Sequence, residues 1–137
     1  IGRGQMEVLE EHIAHHKHVH RLYQKAFESV DGISLQVNPN HDFDSNFWLS
    51  TILIDENKTG VNYETLRVEL DKRNIETRPL WKPLHLQPIF SSAPAYVDGT
   101  SERLFHQGLC LPSGPCVSDE DVNFIVDSIA EITGIRR

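Results

Sequence analysis

Bulky and apolar residues recur along the first thirty positions in steps of three and four: Met6, Leu9, Ile13, His16, His20, Tyr23, Phe27 and Val30. That spacing draws one stripe along an α-helix and predicts a helix over 5–30. Gly32 suits a left-handed turn closing it. The stripe is already running at the first residues, and the only methionine is Met6. The expectation is a helix that begins upstream of Ile1, in a piece of a longer chain.

The period then changes to two. Ile33, Leu35 and Val37 alternate with Ser34 and Gln36, which predicts a strand with one buried face. Asn38 to Asp42 has loop composition. Residues 46–54 are aromatic and β-branched without clean alternation, predicting a strand buried on both faces. After a turn at 55–60, Asn62 caps a helix over 63–73 that carries Tyr63, Leu66 and Leu70, and Asn74 ends it. Ile75 and Thr77 start a short strand that Pro79 and Pro83 interrupt. Residues 78–99 hold Pro79, Pro83, Pro88, Pro94 and Gly99, an irregular stretch of the kind that carries function or moves. Thr100 or Ser101 caps a short helix to His106, and 109–111 form a brief strand. Ser118 with Asp121 makes a capping box, followed by a helix with Val122, Ile125, Val126, Ile129 and Ile132 on one face. Interleaved helices and three to four short strands give an α+β fold, a small α/β sandwich.

The chain has 137 residues, 39% of them hydrophobic and 24% charged, which is one ordinary domain with a real core. No run of about 18 apolar residues exists, so no membrane partner is expected. The net charge of −7 argues against a nucleic-acid partner held by phosphate neutralisation. The start has no signal-peptide pattern. Cys110 and Cys116 lack metal or redox spacing, and are expected as buried or half-buried free thiols in a reducing cytoplasm.

His12, His15, His16, His18 and His20 crowd into nine residues, and His12, His16 and His20 share a helix face. No glutamate stands in H-E-x-x-H order, so no native metal site is expected. The hydrolase elbow G-x-S-x-G and the phosphate loops are absent. The segment from Thr77 to Pro88 is the richer candidate. It offers the guanidinium of Arg78, the indole of Trp81, the ammonium of Lys82 and the imidazole of His85 between stiffening prolines. Arginine binds carboxylate or phosphate in a planar fork, tryptophan stacks on rings, and histidine moves protons near neutral pH. The other reading is an edge loop whose tryptophan plugs the core and whose arginine makes a surface ion pair.

Four segments resemble the carboxy-terminal small domain of the DegT/DnrJ/EryC1/StrS sugar aminotransferases. They are Ile1 to Glu7, Asn46 to Leu49, Thr77 to His85, and Gly108 to Gly114 with Ser118 to Val122. The resemblance implies a fold type I enzyme dependent on pyridoxal 5'-phosphate. Such an enzyme passes an amino group, usually from glutamate, to a nucleotide-linked keto sugar, and works as a homodimer. The Arg-Pro-Leu-Trp-Lys-Pro form of the loop looks most like members acting on UDP-linked 4-keto-6-deoxy sugars for bacterial surface glycans.

In the family the cofactor lysine lies in the larger amino-terminal domain. None of Lys17, Lys25, Lys58, Lys72 and Lys82 stands in that context. The expectation is therefore that 1–137 is a small domain, inactive alone. By resemblance, Arg78 faces a nucleotide phosphate or the donor carboxylate, Trp81 lines the sugar or nucleotide pocket, and His85 lies near the cofactor. Lys82 is a fourth substrate-binding candidate. The alternative reading is a non-catalytic module for a small ligand or for dimerisation. A zinc-binding helix domain, resting on the histidines alone, comes last.

Overall fold

The computed structural model describes residues 1–135. The amino-terminal stripe forms two helices rather than one: α1, Gly2–Glu7, and α2, Leu9–Phe27. Val8 between them has φ −117° and ψ 9°, outside the helical region, and its N–H closes on the Gln5 carbonyl. The expected single helix over 5–30 is corrected at both ends. Only the second half of the stripe is covered: Val19, His20, Tyr23 and Phe27 are buried, while Met6 and Leu9 face outward.

Strand β1, Ile33–Leu35, follows a turn in which Gly32 takes φ +88°. A Cβ at Gly32 would meet Lys58 Cβ at 2.8 Å, so glycine serves close approach there as well as backbone freedom. Strand β2 covers Ser50–Ile54 only, and the expected start at 46 is wrong. At 45–48 side chains satisfy the backbone in place of a ladder. Ser45 Oγ accepts from Phe47 N at 3.0 Å, Asn46 Oδ1 accepts from Trp48 N at 3.2 Å, and Phe47 sits at φ 48°. The turn at 55–60 contains a single helical turn, α3, Glu56–Thr59.

Helix α4, Tyr63–Asp71, is capped by Asn62 as the sequence predicts and followed by Asn74 at φ 59°. Ile75 and Thr77 are buried but unladdered, and strand β3 is Arg78–Pro79 instead. Two short 3-10 turns, Leu84–Leu86 and Pro88–Phe90, punctuate the irregular stretch. Helix α5, Thr100–Gln107, is preceded by Gly99, with Asp98 Oδ1 accepting from Thr100 N. Strand β4, Gly108–Leu111, leads to α6, Asp119–Thr133, whose Ser118–Asp121 capping box is complete.

The sheet runs β1-β2-β4-β3 and each neighbouring pair is antiparallel, so the α+β reading holds. Side chains alternate between its faces. Ile33, Ile52, Ile54, Leu109 and Leu111 join α2, α4 and α6 in the core, against Leu66, Leu70, Val122, Ile125, Val126 and Ile129. The other face carries the cross-strand row Thr51, Cys110 and Arg78. Leu80 and α5 cover its far end. A Cβ on Gly108 would lie 2.1 Å from Leu80 Cδ1 and 2.8 Å from the Leu104 carbonyl.

Tyr23 is fully buried and its hydroxyl donates to the Pro112 carbonyl at 2.8 Å. Replacing Tyr23 by Phe leaves that carbonyl without its partner and is expected to cost about 1–3 kcal/mol. Urea denaturation measures this; an unchanged midpoint would remove the contact from the list of stabilising ones.

Candidate functional site

Two open clefts lie on the sheet face opposite α2, α4 and α6, and Trp48, Leu49 and Trp81 line both. One cleft continues past Thr51, Leu80 and Gln36 toward Phe43. The other, about 710 Å³, runs past Arg78, Cys110, Pro112 and Ser113. The tryptophans form the ridge between them. They remain 61% and 69% exposed, with ring centroids 6.2 Å apart and planes inclined by 32°. Trp81 therefore does not plug the core.

Each wall is built locally. Trp81 follows β3 on a segment that Pro79 and Pro83 restrict in φ. Trp48 hangs from a loop fastened twice. Ser113, buried, donates its Oγ to the Trp48 carbonyl at 3.0 Å. The His20 ring stacks on Phe47 with centroids 3.7 Å apart and planes 13° off parallel. That stack accompanies the left-handed backbone at Phe47, a conformation that costs a bulky residue energy. His20 Nδ1 also stands 3.4 Å from Ser50 Oγ.

Arg78 is mostly exposed at the cleft edge, and Glu76 Oε1 accepts from its Nε at 3.0 Å. The sequence reading of a surface ion pair is thus met in the same residue that lines a cleft. An incoming anion would compete with one exposed carboxylate, a weak rival. Cys110 lies across the ladder from Arg78; burial pushes its thiol pKa up, with the Thr51 hydroxyl at 3.7 Å partly offsetting this. Cys116 is exposed, correcting the expectation of a buried or half-buried thiol there.

The four residues singled out from the sequence separate into two groups. Arg78 and Trp81 share the cleft. His85 and Lys82 do not line it. His85 turns toward α5, where its Nε2 is 3.9 Å from Glu102 Oε2 and buried without a hydrogen-bond partner. Lys82 is exposed, and its carbonyl accepts from Gln87 Nε2 at 3.0 Å. Trp48 and Ser113 escaped the sequence reading as site residues. Asn46 beside two aromatics and the Leu-Pro-Ser-Gly turn were the available signals.

Among the described residues, no group of three or more His, Cys, Asp or Glu side chains could hold a metal. None of the lysines lines either cleft at the tryptophans, and Lys17, Lys58 and Lys72 are engaged by Asp44, Asp31 and Glu69. No helix of the described residues is long and apolar enough to cross a membrane.

A model of the DegT/DnrJ/EryC1/StrS aminotransferase family matches residues 1–130. EpsN of Bacillus subtilis is 32% identical over 137 residues, covering 96% of this chain and 34% of EpsN. The GDP-perosamine synthase of Escherichia coli O157:H7 is 30% identical over 131 residues, with coverage of 96% and 34%. The chain thus spans about a third of the length of these curated relatives. Among solved structures, the aminotransferase TlmJ from Streptoalloteichus hindustanus superposes with a TM-score of 0.85 at 22% identity, over 97% of this chain and 35% of TlmJ. DesI, solved with its TDP-sugar product, gives 0.82 at 22% identity, over 93% and 33%.

Burial lowers the pKa of His20 from 6.5. The folded state thus favours neutral imidazole, and the unfolded chain takes up the proton more readily. Stability from this group is complete above about pH 6.5 and falls as the pH drops toward the depressed folded value. Melting temperatures between pH 7.5 and 5.5 are expected to decline less in His20→Phe than in the wild type. Equal slopes would assign the decline to other groups.

Proposed function

Because the chain belongs to the DegT/DnrJ/EryC1/StrS aminotransferase family, we propose that residues 1–137 are the carboxy-terminal small domain of a pyridoxal-phosphate-dependent sugar aminotransferase. The enzyme moves an amino group, from glutamate, to a nucleotide-linked keto sugar used in a bacterial surface polysaccharide. The observation that carries this reading is the reach of the family match, nearly the whole chain, over only about a third of each relative. The perosamine synthases and the TDP-sugar product held by DesI support a nucleotide sugar as substrate.

Bound pyridoxal phosphate supplies an electron sink for the carbon that gains or loses the amino group. The cofactor and its lysine belong, in this proposal, to the remaining two-thirds of the enzyme. The small domain contributes walls. Arg78 holds a phosphate or the donor carboxylate by a charge-assisted fork. Trp81 lines the nucleotide-sugar pocket. His85, whose ring is turned toward α5 beside Glu102, and the exposed Lys82 are further substrate-side residues of this proposal in the assembled homodimer. Two free thiols support a reducing cytoplasmic setting.

The full-length protein with added pyridoxal phosphate should develop the cofactor's visible absorption band and aminate a nucleotide-linked 4-keto-6-deoxy sugar. The isolated chain should do neither. Arg78→Ala is expected to lower kcat/KM by about ten- to a hundredfold, the loss of one charge-assisted contact. Absence of both band and turnover in the full-length protein would favour a non-catalytic ligand or dimerisation module.

A further inference from the structure

The imidazole of His85 carries an unmet hydrogen bond. Its Nε2 is buried and has no hydrogen-bond partner, although the side chain keeps 19% of its surface exposed. What solvent reaches of this side chain is therefore not Nε2. A buried polar atom left unpaired is costly, so any group near enough to supply the bond gains by closing on it. The group that stands there is the Glu102 carboxylate, whose Oε2 is 3.9 Å from Nε2. A charge-assisted N–H···O bond is about 2.7–2.9 Å long, so closure needs a shift of only about 1 Å.

The backbones that carry the two side chains are fixed. His85 is the middle residue of the 3-10 turn Leu84–Leu86, which Pro83 precedes. The Leu86 N–H donates to the Pro83 carbonyl and the Gln87 N–H to the Leu84 carbonyl, each at 3.0 Å. The Gln87 side chain ties the turn back to the Lys82 carbonyl. Glu102 stands in the first turn of α5, whose start is held by Asp98 Oδ1 accepting from Thr100 N at 3.0 Å. Leu80 packs where α5 passes into β4, too close to Gly108 for any side chain there. The segment entering the His85 turn and the helix carrying Glu102 thus rest on a common contact. Adjustment is left to the Glu102 side chain, which is about half exposed and has other rotamers open to it.

The pairing selects a tautomer. A carboxylate only accepts hydrogen bonds, so a neutral ring facing one carries its proton on Nε2 and keeps the lone pair on Nδ1. With that lone pair, Nδ1 can accept from a hydroxyl; with the proton moved to it, it cannot.

We infer that Glu102 is a positioning residue, which holds the His85 imidazole with its proton on Nε2 so that Nδ1 accepts a hydrogen bond from a hydroxyl of the sugar substrate. The inference rests on the sugar aminotransferase reading above and deepens it. It names the atom of His85 that meets substrate and the side chain that sets it. Glu102 acts through His85 alone.

The test uses the full-length protein with ring-15N-labelled histidine at about pH 8.5, where a free imidazole is neutral. The His85 signals are assigned by their loss in His85→Phe, and two-bond proton–nitrogen spectra tell the tautomers apart. Wild type is expected to carry the proton on Nε2. Glu102→Gln, which can also donate, should shift part of the population to Nδ1, and Glu102→Lys, which only donates, should shift more. Both should lower kcat/KM for the nucleotide-linked keto sugar by about ten- to a hundredfold, as removal of a residue that orients a functional histidine does. Glu102→Asp keeps an acceptor-only group and should retain the wild-type tautomer and exceed the Gln variant in turnover. The inference is overturned if wild-type His85 carries its proton on Nδ1, or if the tautomer population is the same in wild type and in the Gln and Lys variants. It is equally overturned if the population shifts while kcat/KM stays within about twofold of wild type. The cofactor's visible band and the wild-type turnover report on the aminotransferase reading separately. A protein with neither sinks that reading and the sugar hydroxyl with it, while the nitrogen spectra still decide whether Glu102 sets the ring.

Discussion

The buried hydroxyl of Tyr23 is the fixed point from which the candidate site is built. It spans from the central helix α2 to the carbonyl of Pro112, just past the central strand β4. Burial, aided by the Asp121 carboxylate, raises the phenol's pKa well above its usual value, so the group stays a donor across the working pH range. The next residue, Ser113, reaches across to the Trp48 carbonyl. One turn of the helix away from Tyr23, His20 stacks on Phe47. Helix, turn and aromatic loop are thus locked together by a short chain of directional contacts. Packing alone, being non-directional, would leave the loop at 45–48 free to slide.

The two faces of the sheet divide the work. The inner face is closed by three helices and holds the apolar payload, from Ile33 and Ile54 at one side to Leu109 and Leu111 at the centre. The outer face is covered at one end by Leu80 and α5, and opens at the other into the clefts around Trp48 and Trp81. Strand β2 is buried almost throughout because both arrangements meet on it.

Periodicity made the amphipathic helices legible. The Val122, Ile125, Val126 and Ile129 face, the Asn62 cap and the Ser118–Asp121 box all stand where the pattern puts them. It failed where backbone geometry is decided by something other than burial rhythm. The stripe from Met6 to Val30 crosses the break at Val8 without a signal, because Val8 is neither Gly nor Pro. The strand expected from 46 begins at 50, because Ser45 and Asn46 capture the amides of Phe47 and Trp48. For the site, the mixed chemistry of 78–85 was visible, but the contribution of Trp48 was not. It comes from a segment about thirty positions away, and its own residue type read as core.

The edge strand β3 has a further consequence, for how the molecule behaves in company. It is two residues long, and one of them, Pro79, has no N–H to offer. A sheet ending in a longer regular strand exposes a row of donors and acceptors onto which a neighbour's strand can zip, the route to fibrils. Here that border is sealed by proline, and the arginine beside it sets a charge at the rim. The irregular loop that carries the aromatic wall can remain open to solvent without offering that border of the sheet as a template for aggregation.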